Sequence, residues 1–253
     1  FHEYNRNKKS VALDLADSEG KEIFGRLVSV SDIVIENFRT DVPVKLGLTD
    51  DWLRAQNEEI IVIGMAGFGK TGPDANAMGY GPIIEQMSGM TSLSGYGDDG
   101  IPVKTGISYG DPIAGLGAVA AAITALIQRR KTGKGQYIDL SQCEVMTAQI
   151  GEAFLDWNMN QRLQPHWGNG HDWMAPHNAY RCQGEDEWVA IAVRTDEEWD
   201  GLVRAMGNPN WAAEEAYSDQ IYRWDNRESL DKYLSTWTAG LRKEGVFDAC
   251  RAE

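Results

Sequence analysis

The feature that most constrains the fold is an alternation of short apolar runs with helical patterns over the first 140 residues. Four runs predict strands, because they are apolar and bounded by polar turns, and they cover 11–15, 32–37, 60–63 and 137–140. Helical spacing predicts a helix from Asp17 and another over 49–56. Strands that alternate with helices imply a parallel sheet covered on both faces, so the predicted fold class is α/β.

A long apolar run follows the sequence Gly110-Asp111-Pro112 and extends from Ile113 to Ile127. Aspartate followed by proline indicates a helix start, since the carboxylate accepts from first-turn N–H groups and proline fits the first helical position. The run is rich in small residues, which predicts a buried central helix. A helix needs roughly 20 apolar residues to span a bilayer, so we expect this run to be too short to span one. A glycine-assisted stop is predicted over 131–135.

The remaining segments differ in character. Residues 64–111 are rich in turn residues and predict one helix near 82–93, while Ser141 is predicted to cap a helix reaching about Gln161. Irregular sequence follows over 164–178, and beyond it a strand at 187–193 and helices at 195–206 and 226–240 are expected. We therefore predict a large α/β domain over 1–165, and a linker with a smaller α+β domain over 166–253.

Charge and cysteine content exclude several classes of function. The 253-residue chain has a formal net charge of −14, which disfavours nonspecific binding to nucleic acid or to an anionic membrane. Its three cysteines have no metal-ligand spacing, and their odd number favours a reducing cytoplasm over a disulfide framework. No signal peptide or membrane span is recognised. The chain begins at Phe1 without an initiator methionine, so we expect it to derive from something longer.

A glycine-rich stretch over 64–71 satisfies the G-x-x-x-x-G-K-[ST] pattern of a P-loop, and residues 67–72 fit G-x-G-x-x-G. Both nucleotide-binding mechanisms need a helix to begin at once, so that its amides hold phosphate. Here Gly72-Pro73-Asp74 intervenes and indicates a turn. We favour a loop whose glycines let the backbone approach something closely, with nucleotide binding as the alternative.

Other candidate residues have two interpretations each. His166, His171 and His177 are spaced by five and six residues, which is not the spacing of one helical face, so loop histidines are favoured over metal ligands. The turn Asn37-Phe38-Arg39 follows a strand, where open α/β sheets bind ligands, but an ordinary turn is equally compatible. Lys45, Lys70 and Lys104 are similarly ambiguous.

Asp111 is either a helix cap or a carboxylate nucleophile. Most Asp-Pro pairs at helix starts are caps, and carboxylate nucleophiles are few. The helix dipole and nearby amides favour an ionised carboxylate, and Gly106 and Gly110 would admit a bulky substrate.

Seven segments together, in order, resemble the family III CoA-transferases, which include formyl-CoA, carnitine and bile-acid-inducible CoA-transferases. The resemblance covers roughly residues 5–205, and its matching segments are 5–15, 34–39, 67–73, 79–80, 86–89, 110–111 and 131–136. In this family the P-loop look-alike is a loop after a strand.

The resemblance implies a function and a site. Members move coenzyme A from an acyl-CoA to a free carboxylic acid, as interlocked homodimers whose chains each have a Rossmann-like large domain and a smaller domain. For this chain we therefore expect residues 1–165 to be a Rossmann-like CoA-binding domain, with no permanently bound cofactor and no metal. The catalytic aspartate corresponds to Asp111. The implied CoA-site positions are Leu13, Asn37, Phe38, Arg39, Lys45, Met78, Gly79, Tyr80 and Gly81. The implied chemistry forms an aspartyl–acyl anhydride and then an aspartyl–CoA thioester, with water excluded.

This chain departs from the formyl-CoA transferases. Gly81 replaces an acidic residue after the matched tyrosine, and residues 167–171 replace a glycine-run flap, which favours a bulkier acyl group. Relatives also carry further segments at both ends, so we expect a chain that is shortened there. The alternatives are therefore an impaired CoA-binding or dimer-scaffold fragment and a P-loop protein. The resemblance also includes racemases, which use a histidine earlier in the chain than the residue that corresponds to Asp111. Racemase chemistry is disfavoured, because no histidine lies between Glu3 and Pro165.

Overall fold

The computed structural model describes residues 2–96 and 101–253, and its first sheet contains three parallel strands. They are β1 (Ile33–Glu36), β2 (Ile61–Gly64) and β3 (Gln136–Asp139), in the order β1-β2-β3. Ile33 pairs with Ile61, and Ile61 pairs with Gln136, so all three strands begin at one edge. The predicted parallel sheet is confirmed, and its carboxyl ends share the other edge.

Helices cover both faces of this sheet because β2 is apolar on both sides. Ile60 and Val62 pack with Val28 of α1 (Ser18–Ser29) and Leu53 of α3 (Asp50–Gln56). On the other face, Ile61 and Ile63 pack with three small residues of α5 (Gly110–Thr132), which are Ala114, Ala118 and Ala125. All four residues from Ile61 to Gly64 are buried, and each buried Ile or Val side chain contributes about 1.5–3 kcal/mol. The chain thus has a mixed α/β fold.

The α5 helix is longer and more exposed than its sequence predicts. It ends where Gly133 adopts a left-handed φ of 69°, which confirms the glycine-assisted stop. The prediction of a buried helix is wrong, because only small residues of the helix are buried, while Leu116, Val119, Ile123 and Ile127 are more than half exposed. The expected shortness is also wrong: with 23 residues and a mean hydropathy of 1.6 over an 18-residue window, its length and composition are compatible with a membrane span. This is weak evidence, since core helices of soluble proteins pass the same test.

One predicted strand is absent. Residues 11–15 form no strand in the described chain, and Val11 is 62% exposed. Alternating residues favour an extended segment, but a strand also needs a neighbour to complete its ladder of hydrogen bonds. The alternation alone therefore gave the wrong prediction.

The loop-rich stretch and the segment after β3 carry short helices. They are α2 (Asp41–Lys45), α4 (Gly81–Met87), α6 (Gln142–Thr147) and α7 (Gly151–Asn160), with 3₁₀ turns at Met90–Leu93 and Ala148–Ile150. The predicted helix near 82–93 is thus α4 and a 3₁₀ turn, separated by Gly89 with a φ of 88°. Ser141 caps α6 by accepting from the N–H of Glu144, as predicted, but the helix expected to continue to Gln161 is interrupted at 148–150.

The chain divides into two compact units, one of residues 1–93 and 103–164, the other of 94–102 and 165–253. The second unit contains an antiparallel hairpin of β4 (His177–Arg181) and β5 (Trp188–Ala192). Its helices are α8 (Asp196–Ala205), α9 (Gln220–Asp225), α10 (Arg227–Ala239) and α11 (Lys243–Arg251), with 3₁₀ turns at Asn210–Ala213 and Glu215–Tyr217. The strand and both helices predicted beyond residue 187 are confirmed.

Candidate functional site

A cavity of about 530 Å³ lies where the three parallel strands end. The turn after β1, the loop after β2 and the start of α6 after β3 all contribute to it, as expected at the carboxyl edge of an open α/β sheet. Eight residues predicted for the site line this cavity, and they are Asn37, Phe38, Arg39, Met78, Gly79, Tyr80, Gly81 and Asp111.

Two further predicted residues, Leu13 and Lys45, are not among the described residues that line the cavity. Lys45 lies at the end of α2, where its Nζ is 2.6 Å from the carboxylate of Asp41. The sequence also missed several lining residues, including Gly67, Ser108 and Gln142. Gly67 and Gln142 each follow a predicted strand within a few residues. They could therefore have been predicted from the rule that ligands bind at the carboxyl ends of parallel strands.

Asp111 occupies the first turn of α5 and is exposed to the cavity. The N-cap residue is Tyr109, and its side chain makes no capping hydrogen bond. Of the two interpretations of Asp111, the cap is therefore wrong, because Asp111 lies two residues beyond the N-cap, inside the helix. Its carboxylate still lies at the positive end of a 23-residue helix, which stabilises a negative charge.

Gly81 makes room for this carboxylate. A Cβ at position 81 would lie 2.7 Å from Oδ2 of Asp111 and 2.5 Å from Cβ of Ser108. Real Cβ atoms do not approach other atoms so closely, so any larger residue at this position displaces Ser108, Asp111 or both. The replacement of an acidic residue by Gly81, noted in the sequence, therefore shapes the surroundings of Asp111 directly.

The glycine-rich loop after β2 lets two backbone segments, at Gly67 and Gly79, lie close together. A Cβ on Gly67 would lie 2.6 Å from Cα of Gly79, and a Cβ on Gly79 would lie 2.6 Å from Cα of Gly67. No helix begins between Thr71 and Tyr80, which are all described residues. The preferred interpretation of this loop is confirmed, and the helix that a P-loop needs is missing there.

Two carboxylates at strand ends hold the loops beside the cavity. Glu36, at the end of β1, accepts a hydrogen bond of 2.8 Å from the N–H of Phe38 and so fixes the turn over 37–39. Burial raises the pKa of Glu36, while the Phe38 N–H and the charge of Lys70 oppose that increase. Asp139, at the end of β3, accepts from the N–H of Lys70 at 3.0 Å. Both carboxylates therefore hold loops that line the cavity.

Arg39 supplies a cation at the rim of the cavity. Its Nε lies 2.6 Å from Oδ1 of Asp41, and Oδ2 of the same carboxylate also accepts from Lys45. The hydrogen bond from Arg39 is the main cause, and that from Lys45 the second cause, of a pKa of Asp41 well below its usual range. Asp41 thus orients both cations.

Three apolar side chains that line the cavity with Arg39 are exposed to solvent. The exposed fractions are 43% for Phe38, 61% for Met78 and 67% for Tyr80. A cavity that combines aromatic and flexible apolar side chains with an arginine suits a ligand that has an apolar or aromatic part and a negatively charged group.

The three clustered histidines lie in the second unit and do not line this cavity. The rings of His171 and His177 are 5.2 Å apart, and Nδ1 of His171 faces the N–H groups of Trp173 and Met174. Within residues 2–96 and 101–253, no group of three or more His, Cys, Asp or Glu side chains is arranged to hold a metal ion.

Comparison with known proteins relates this geometry to one family. A sequence profile described as CoA-transferase family III matches residues 1–253. The chain is 32% identical over 250 residues to a succinate–glutarate CoA-transferase of Agrobacterium fabrum, covering 99% of this chain and 62% of that protein. It is 34% identical over 233 residues to a succinyl-CoA–D-citramalate CoA-transferase of Chloroflexus aurantiacus, covering 92% and 58%.

A solved structure agrees in fold. A CAIB/BAIF family protein from Brucella suis superimposes with a TM-score of 0.90 and 31% sequence identity, covering 98% of this chain and 65% of that one. The chain thus spans about three fifths of the length of these curated relatives. With a profile match over its whole length, the chain belongs to CoA-transferase family III.

Proposed function

We propose that the chain acts as an acyl-CoA:carboxylate CoA-transferase, with Asp111 as its nucleophile. The observation that carries the proposal is that Asp111 shares one cavity with seven of the nine positions that the family resemblance assigns to CoA. The family match over the whole chain supports the same reaction.

The proposed reaction needs one carboxylate and no metal. The carboxylate of Asp111 attacks the thioester carbonyl, and the C–S bond breaks to give an aspartyl–acyl anhydride and CoA thiolate. The thiolate attacks the aspartyl carbonyl, releasing the first acid and leaving an aspartyl–CoA thioester. The acceptor carboxylate then attacks this thioester, and its C–S bond breaks to give a second aspartyl–acyl anhydride and CoA thiolate. The thiolate attacks the acyl carbonyl of that anhydride, which forms the new acyl-CoA and releases the carboxylate of Asp111. No step consumes a proton or an electron.

Arg39 is proposed to bind a phosphate of CoA, with Phe38, Met78 and Tyr80 against its apolar parts. Nε and Nη2 of Arg39 donate to the two carboxylate oxygens of Asp41, so Nη1 is proposed to donate to the phosphate. A charge-assisted hydrogen bond is roughly twice as strong as a neutral one. Leu13 and Lys45 are proposed to contribute at the outer end of CoA, since neither lines the cavity itself. CoA is a substrate in this proposal, and no permanently bound cofactor is required.

Two relatives are named for succinate or succinyl-CoA, together with glutarate or D-citramalate. We therefore take succinyl-CoA as the first donor to test and short dicarboxylic acids as the first acceptors. Gly81, which leaves space beside Asp111, is compatible with an acyl group larger than formyl.

The remaining proposals concern organisation. Residues 1–165 are proposed as the Rossmann-like CoA-binding domain, and residues 166–253 as the linker and smaller domain. The protein is proposed to be cytoplasmic. An interlocked homodimer is supported by the exposed apolar side chains of α5, which a second chain would cover. Sedimentation of the purified protein tests the dimer: a monomer at micromolar concentration would contradict it.

The function is tested by incubating the protein with succinyl-CoA and a panel of carboxylic acids, then separating the CoA esters by chromatography. We expect a new acyl-CoA that Asp111→Asn does not form. Binding of CoA without any exchange would instead favour the scaffold fragment. Thermal stabilisation by nucleotides but not by CoA would favour the P-loop alternative.

A further inference from the structure

The α4 helix carries a buried carboxylate that faces the segment leading to Asp111. Glu85 is only 1% exposed. Its Oε1 accepts a hydrogen bond from the backbone N–H of Tyr109, and its Oε2 lies 3.1 Å from the hydroxyl of Thr105. Both partners precede Asp111 by a few residues, and neither comes from the helix that carries Glu85.

Burial of the Glu85 carboxylate lowers stability unless hydrogen bonds compensate for the loss of its hydration. Burying an unpaired carboxylate costs several kcal/mol, so such groups are retained where hydrogen bonds compensate them. Tyr109 is the N-cap residue of α5 and supplies no capping side chain itself. Glu85 therefore supplies from α4 the acceptor that the start of α5 lacks, and it does so at the positive end of the helix dipole.

The same short helix also borders the cavity. The α4 helix begins at Gly81, whose Cα carries no side chain that would collide with Asp111, and Pro82 lines the cavity as well. One helix thus contacts the predicted CoA segment at its first turn and the segment before Asp111 through Glu85. A displacement of either contact would change the distance between the carboxylate and the thioester.

We propose that Glu85 is a positioning residue that fixes the backbone at Tyr109 and so holds Asp111 in its attacking position. This inference rests on the proposed function, because it assumes that Asp111 is the nucleophile. Reacting groups that are misplaced by 1 Å lose on the order of 10²-fold in rate. Loss of the Glu85 contacts should therefore lower the rate of the chemical step more than the affinity for CoA.

Glu85→Gln and Glu85→Ala separate the hydrogen bonds from the mere presence of a side chain. A glutamine oxygen can accept from the Tyr109 N–H while its NH₂ group donates to the Thr105 hydroxyl. That hydroxyl can then donate to the carbonyl oxygen of Ile107, which lies 2.6 Å away. Alanine removes both contacts. Ser88→Ala is the matched control, since Ser88 is also buried on this stretch but its hydroxyl bonds to the carbonyl oxygen of Glu85.

The purified protein and these variants are compared by amide hydrogen exchange of the peptide 105–113, by CoA affinity, and by the single-turnover rate of adduct formation at Asp111. For Glu85→Ala we expect exchange that is at least about 10-fold faster in this peptide, a chemical rate lower by roughly 10–100-fold, and a CoA Kd within about threefold of the original value. Glu85→Gln should recover most of the exchange protection and most of the rate, and Ser88→Ala should change neither.

The outcomes are distinguishable from a failure of the proposed function. If no acyl-CoA gives an adduct in the unmodified protein, the function fails, yet hydrogen exchange still tests whether Glu85 holds the segment. Unchanged exchange and rate in Glu85→Ala would overturn the inference, and so would an equal loss of rate in Ser88→Ala. If Glu85→Ala does not fold, Thr105→Val replaces it, with faster exchange over 105–109 as the expected result.

Discussion

The cavity of the first unit and the core of the second unit differ in how they place charged side chains. In the first unit, the carboxylate of Asp111 and the guanidinium of Arg39 are exposed at a cavity. In the second, Arg223 is fully buried, with its Nη2 2.7 Å from Asp196 and its guanidinium 5.2 Å from the ring of Trp199. Both charges at the cavity are exposed, Arg39 despite its ion pair with Asp41, so they can contact a ligand. The buried and paired Arg223 stabilises the fold instead.

The aromatic residues of the cavity and of the second unit's core differ in the same way. Trp199, Trp211 and Tyr217 pack on one another in the core of the second unit, with the rings of Trp211 and Tyr217 5.5 Å apart. Phe38 and Tyr80 at the cavity are exposed instead. The comparison indicates that substitutions of the cavity residues in the first unit should change chemistry or binding, and that substitutions in the core of the second unit should change stability.

The largest expected effect is that of Asp111→Asn on activity. An amide is a poor nucleophile, so the rate of CoA transfer should fall by at least about 10³-fold. Stability should change little, because Asp111 is exposed and makes no capping hydrogen bond. Initial rates and urea denaturation measure the two quantities. A variant with full activity would remove the basis of the comparison.

In the second unit, Arg223→Ala should have the converse effect. It deletes a fully buried side chain and leaves the carbonyl oxygen of Ala175 without its donor, 3.2 Å away. We expect a loss of about 3 kcal/mol in the free energy of unfolding. Adduct formation per folded molecule should stay within about twofold. Lost chemistry in a stable, folded variant would contradict the division between the units.

Gly81→Ala sharpens the comparison inside the first unit. Its Cβ would collide with Ser108 and with Oδ2 of Asp111, so the chemical step should slow by roughly 10–100-fold. Gly245→Ala in α11 is the matched control, since a Cβ there meets nothing within 4 Å. The control should leave the rate unchanged and stabilise the protein by about 0.5–1 kcal/mol. Equal rates in both variants would show that Gly81 is not needed beside Asp111.

Arg39→Ala and Lys45→Ala test which cation binds CoA. Arg39 lines the cavity and Lys45 does not, so the CoA Kd should rise about 10-fold for the first variant and less than threefold for the second. Isothermal titration measures both constants. A larger effect of Lys45→Ala would move the phosphate site towards α2.

The smallest expected effect concerns Asp41 and pH. Arg39 and then Lys45 hold the pKa of this carboxyl below its unfolded value of about 4, so its contribution to stability is present above that pH and is lost as the pH falls. The Tm of the unmodified protein should therefore exceed that of Asp41→Asn at pH 7, and the difference should shrink below pH 4. A difference that grows on acidification would contradict the pairing.

Much of the fold follows from local sequence. The apolar runs at 33–36 and 61–64 and the left-handed Gly133 are encoded by neighbouring residues, so periodicity and turn chemistry predict them. Residues 11–15 were predicted wrongly, because pairing depends on a distant neighbour. The exposure of α5 was missed for a similar reason, since the sequence does not state which of its faces meets the sheet.

The site was predictable where it depends on strand ends. The rule that ligands bind at the carboxyl edge indicates the turn after β1 and the loop after β2. The role of Glu85 was not predictable from its surroundings in the chain, because its partners lie 20 and 24 residues further on. The space that Gly81 leaves for Asp111 likewise becomes visible only when the two residues are brought together.

Mass spectrometry of the Asp111 peptide tests the central claim most directly. The protein is incubated with succinyl-CoA and other acyl-CoAs, quenched and digested, with Asp111→Asn treated in parallel. We predict a peptide whose mass has increased by one CoA thioester on Asp111, formed with at least one acyl-CoA and absent from the variant. Turnover of an acyl-CoA without any such adduct, or the same adduct in Asp111→Asn, would contradict the account.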